Sequence, residues 1–107
     1  MENVYVIKSS HGYSYLMELG LLNKAFKSKE RCEEIIHSMA ESKYGKPFYS
    51  EKSEYVKMVK NYWAGDYSME ELKEMIGSKN KTENAFNSAL YYDFCYMFHI
   101  EEYEIVE

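Results

Sequence analysis

Cysteine is scarce, and the two present, Cys32 and Cys95, cannot build a disulfide framework. No apolar run approaches the roughly 18 residues that a membrane-spanning helix needs. Positive charge is in deficit, with 13 basic residues against 18 acidic and a formal net charge of −5. Sequence-independent binding to nucleic-acid phosphates requires a cationic face, and no cluster of Lys or Arg supplies one, so no direct nucleic-acid partner is expected. Met1-Glu2-Asn3 opens straight into strand-like sequence without a basic leader. The expectation is a cytoplasmic protein with no membrane contact.

Catalytic motifs are missing as well. There is no glycine-rich phosphate loop, no G-x-S-x-G elbow and no H-E-x-x-H pair. Ser9, Ser10 and His11 are neighbours in a polar loop, but sequence neighbours seldom point at one another and no third group is evident to orient a base. Cys95 and His99 are four apart, a ligand spacing only on a helix. On a strand they share a face about 13 Å apart. A zinc site wants four ligands, and the chain owns two cysteines and three histidines in all. No catalytic residue, metal ligand or cofactor is assigned, and the chain is read as non-enzymatic.

What is present is enough for a folded core: 46% of residues are hydrophobic and 17% aromatic, with twelve tyrosines. A chain of 107 residues has room for one domain, taken as residues 1–107. Ser28 stands at an N-cap position with Glu30 in the first turn. Cys32, Ile35, Ile36, Met39 and Ala40 then repeat at the spacing of a one-sided apolar stripe. Such a helix must lie on something flat. Val4–Ile7 reads as one strand, Leu19–Phe26 as a second and Tyr96–Val106 as the last, with a bulge expected at Glu101-Glu102 where the apolar parity shifts.

Between the first helix and the last strand the sequence predicts a helical insertion over about residues 48–92. Tyr44-Gly45-Lys46-Pro47 stops the first helix. Ser53 opens a second helix in which Tyr55, Val56, Val59, Tyr62 and Trp63 share a face. Ser68-Met69-Glu70-Glu71 fits the capping box S-x-x-E, and Tyr67 and Leu72 occupy the positions of a hydrophobic staple. Met69, Leu72, Met75 and Ile76 give that helix its apolar side, and Gly77 ends it. Ser78–Lys81 reads as a connector and Thr82 as the cap of a further helix. The fold class predicted is α+β: a small antiparallel sheet of about three strands covered by a helix, with a helical insertion before the closing strand.

Three segments carry a resemblance: Val4-Tyr5-Val6-Ile7, then Ala25-Phe26-Lys27-Ser28-Lys29-Glu30, and Phe98-His99-Ile100-Glu101-Glu102-Tyr103-Glu104-Ile105. In them the chain resembles small bacterial and phage proteins that carry a domain of unknown function, over about half its length and outside Gly45–Leu90. The resemblance implies a three-stranded sheet under one helix and a home in a phage or mobile element. It supplies no chemistry to carry over.

Tyrosine and tryptophan beside glycine turns are enriched where one protein grips another. Tyr62, Trp63 and Tyr67 flank Ala64-Gly65-Asp66, and Tyr13 and Tyr15 lie by the first loop. These five are the candidate partner-binding residues. The reading competes with a plainer one, in which Tyr62 and Trp63 complete a core stripe. The leading expectation is therefore a protein-binding module, of the kind a phage encodes to inhibit a host protein. The alternative is a small-ligand or sponge protein with an aromatic pocket between sheet and insertion. An acidic face that displaces nucleic acid from its binding protein is a sharper version of the first, weakened by the interspersed Lys57, Lys60, Lys73, Lys79 and Lys81. A homodimer through an exposed sheet edge is a further expected partner.

Overall fold

The computed structural model describes residues 2–10, 16–17, 19–21 and 24–105. Its elements run β1 (Glu2–Ser9), α1 (Lys29–Tyr44), α2 (Glu54–Trp63), α3 (Met69–Ile76), α4 (Lys79–Tyr96) and β2 (Phe98–Ile105). This is an α+β architecture with four helices among the described residues. The chain divides into two units, one of Met1–Met39 with Phe94–Glu107 and one of Ala40–Asp93.

In the first unit β1 and β2 pair antiparallel, from Glu2 opposite Ile105 to Ser9 opposite Phe98. Among the described residues two strands, not three, make the sheet. The expected strand over Leu19–Phe26 is reduced, among the described residues, to one bridge in which Phe26 and Tyr5 exchange both backbone hydrogen bonds at 2.8 Å. The reason lies in local turns. Gly20 N–H donates to Met17, Leu21 N–H to Leu16 and Lys24 N–H to Leu21, so donors that would have reached β1 are used within the segment. Gly20 has φ +73°, a conformation that suits a turn and not a strand.

The expected bulge is also absent, because the β1–β2 register runs unbroken through Glu101 and Glu102. Phe98 and Ile100 occupy the face that turns to the core, and Glu102 and Glu104 continue along that same face past its end. The shift in apolar parity marks where the core stops and not an inserted residue. The last strand also begins later than expected, since Tyr96 still belongs to α4. Val106 lies outside the described residues. Ile7, Leu16, Leu21, Cys32, Ile36, Phe94 and Phe98 are buried in this unit, with the Phe94 and Phe98 rings 5.2 Å apart.

The second unit is helical and has its own core: Val56 and Val59 of α2, Leu72 and Ile76 of α3, Ala85 and Ala89 of α4. Each helix start has an identifiable cause. Ser53 accepts from Tyr55 N–H, and Ser68 and Glu71 form the reciprocal capping box. Gly77 ends α3 in the left-handed conformation at φ +81°. The cap of α4 is Ser78, not Thr82: the Ser78 side chain accepts from Lys81 N–H, while Thr82 donates its hydroxyl to the Ser78 carbonyl at 2.7 Å from inside the first turn. Buried Ser88 accepts from Tyr49 N–H and Tyr92 donates to the Tyr49 carbonyl, tying the segment after α1 to α4. Met75, expected on the apolar side of α3, is 46% exposed. Leu72 and Ile76 fill the narrow stripe that so short a helix can bury.

Candidate binding groove

The sequence between the capping box and Ser88 builds more than a core. Met69, Lys73 and Gly77 follow one another at four-residue intervals on α3 and its end. Lys79, Thr82, Glu83, Phe86 and Asn87 form the matching stripe on α4. With only Gly77 and Ser78 between the helices, these two stripes come together around an open groove of about 730 Å³. Its apolar walls are Met69 and Phe86, both packed against the core behind them. Its polar lining is Lys73, Lys79, Glu83, Asn87, Ser78 and Thr82.

The electrostatics of the groove differ from those of the chain as a whole. Two ammonium groups face one carboxylate, and no salt bridge joins Lys73 or Lys79 to an acid among the described residues. The first turn of α4 contains no acidic residue, so the partial positive charge of that helix end is left uncancelled by its own side chains. The helical unit holds eight lysines against nine acidic residues, and the remaining −4 of the net charge belongs to the unit containing the strands.

Aromatic side chains border the groove. Phe86 stands edge-on to Tyr62 at 6.0 Å and to Trp63 at 6.3 Å between ring centroids. Of the candidate partner-binding residues, Tyr62 is half-buried against the core, while Trp63 is 42% exposed. Trp63 therefore does not simply complete the stripe of α2. Tyr67 is half-buried and its hydroxyl donates to the Met58 carbonyl at 2.8 Å, so it is held in the helical unit by its own hydrogen bond. Tyr13 and Tyr15 lie outside the described residues. A second aromatic row, Phe48, Tyr49 and Tyr55, runs at 4.9 and 5.0 Å between centroids, with Phe48 strongly exposed. Sequence reasoning missed the groove because it took Ser78–Lys81 for a connector. The signal was there in the succession Gly77-Ser78, a C-cap glycine directly followed by an N-cap serine.

The strand-bearing unit places its titratable groups differently. Cys95, on α4 and not on a strand, brings its Sγ to 3.7 Å from His37 Nδ1, whereas His99 contacts Glu101 on β2. Cys32 is fully buried, and that burial, helped by Glu33, raises its thiol above the ordinary range. Among the described residues no three His, Cys, Asp or Glu side chains stand close enough to hold a metal ion. No helix there is long and apolar enough to cross a membrane.

Comparison with known proteins adds no family to this description: no family model, no curated protein and no solved structure matches the chain.

Proposed function

We propose that this chain is a non-enzymatic binding module that recognises another protein and acts by covering part of its surface. The observation that carries the reading is Trp63. Its ring is fixed at one edge against Phe86, beside the groove, and stays 42% exposed. A large, rigid, half-sunk aromatic loses little conformational entropy on binding, and tryptophan is the residue most enriched among energetic anchors of interfaces. The acidic balance favours a basic partner surface. With the resemblance of the strands and first helix to phage proteins, this supports an inhibitor of a host defence or nucleic-acid-handling protein, working in the host cytoplasm. A homodimer through the edge of β2 is the self-association that the two-stranded sheet favours.

Affinity purification from bacterial lysate, followed by mass spectrometry, tests the proposal. A discrete partner should be captured, and Trp63→Ala should weaken its capture at least about tenfold while circular dichroism remains native. Equal capture by the variant, or none above background by the folded wild-type protein, overturns it.

A second reading is favoured by the groove itself, whose volume of about 730 Å³ falls in the range of small-molecule sites. On this reading the helical unit holds a small ligand. Native mass spectrometry of the purified protein should then find a retained molecule.

A further inference from the structure

We infer that the groove between α3 and α4 selects a small molecule with a flat apolar body and one anionic group, a carboxylate, sulfonate or phosphate. The inference rests on the small-ligand reading of the groove and names its chemistry. Three independent observations converge on it. The volume suits a small molecule of a few rings. The walls offer a thioether and an aromatic face, Met69 and Phe86, which pack well against a planar apolar body. The charge is unbalanced: Lys73 and Lys79 line the groove with no acidic partner in salt-bridge range among the described residues, and Glu83 supplies the only carboxylate in the lining.

That imbalance is informative because this protein is acidic elsewhere. Nine acidic residues are available in the helical unit, yet none of them forms a salt bridge with either lysine of the groove. Lys79 and Glu83 stand one helical turn apart on α4, a spacing that permits an ion pair, and none forms. An entering anion meets two cations across the gap between the helices, while its apolar part covers Met69 and Phe86. A cationic ligand would face the opposite balance. A neutral one would gain only the apolar contact.

The probe is 8-anilinonaphthalene-1-sulfonate, compared with N-phenyl-1-naphthylamine, which has the same rings without the sulfonate. Trp63, the only tryptophan, stands edge-on to Phe86 at the groove wall, so its quenching by energy transfer reports probe binding, which the lysine variants then assign to the groove. We expect one sulfonate probe per chain, with quenching of Trp63 and an affinity about tenfold above that of the neutral probe at low salt. K73Q/K79Q should abolish that preference. The control K46Q/K52Q, with the same change in net charge at exposed lysines outside the groove, should keep it. Circular dichroism of both variants checks that neither has loosened. If the neutral probe binds as tightly as the sulfonate, or both double variants lose the preference alike, the anion selectivity is wrong while the groove stands as an apolar site. If neither probe quenches Trp63, the small-ligand reading of the groove fails with it.

Discussion

Glu101 shows how much a single exposed side chain can be determined by strand alternation. His99, Glu101 and Tyr103 share one face of β2, and the carboxylate takes a hydrogen bond from the Tyr103 hydroxyl and meets His99 Nε2 at 3.2 Å. These contacts favour the charged form, Tyr103 first, and hold the Glu101 carboxyl below the ordinary glutamate range. A depressed folded value means that the stabilisation is complete above the unfolded pKa and is lost as pH falls through the folded one. Tyr103→Phe should move the Glu101 midpoint upward, as read by carbon NMR of the side-chain carboxyl. An unchanged midpoint would assign the shift to other groups. On the opposite face Glu102 accepts from Asn3 Nδ2 at 2.6 Å and from the Tyr5 hydroxyl at 3.3 Å, across the sheet. None of this was legible in the doublet Glu101-Glu102. An inserted residue and the end of a core produce the same break in apolar alternation, and only the partner strand distinguishes them.

At the scale of the element, capping chemistry was the most legible part of the chain. The reciprocal bonds of Ser68 and Glu71 follow from side chains that reach only their own turn, so sequence carries the whole signal. Ser68→Ala removes the acceptor of Glu71 N–H and should cost about 1 kcal/mol in urea denaturation, with the slope of the transition unchanged. Strand formation was less legible, because a strand is made by its neighbour. Phe26 has the apolar, aromatic character of a strand residue, yet the turns anchored at Leu16, Met17 and Leu21 leave it a single bridge to Tyr5. The groove was hidden for a related reason. Lys73 and Lys79 read as ordinary solvated lysines until α3 and α4 are set side by side, and nothing in the spacing from 73 to 79 fixes that geometry. Among the candidate partner residues, Trp63 was identified by its place beside a glycine turn, but its exposure depends on where the stripe of α2 runs out.

For the whole molecule, the decisive fact is that the helical unit has a core of its own while the sheet is made from distant stretches of chain. Leu72 lies fully buried among Val56, Val59, Ile76, Ala85 and Ala89. Leu72→Ala should destabilise by about 2–5 kcal/mol, visible as a lowered midpoint in chemical denaturation. A cost below 1 kcal/mol would mean that the site collapses around the missing atoms. The sheet is governed by different physics. Ser9 pairs with Phe98 and Glu2 with Ile105, so every rung of the ladder joins residues separated by most of the chain. Closing so large a loop is entropically expensive and slow, whereas α2, α3 and α4 meet through short connections. On the ribosome the order of events follows. Residues 40–93 have all been made before the first residue of β2 is joined to the chain, and β1 waits until residues 98–105 are made for the strand that will cover its edge.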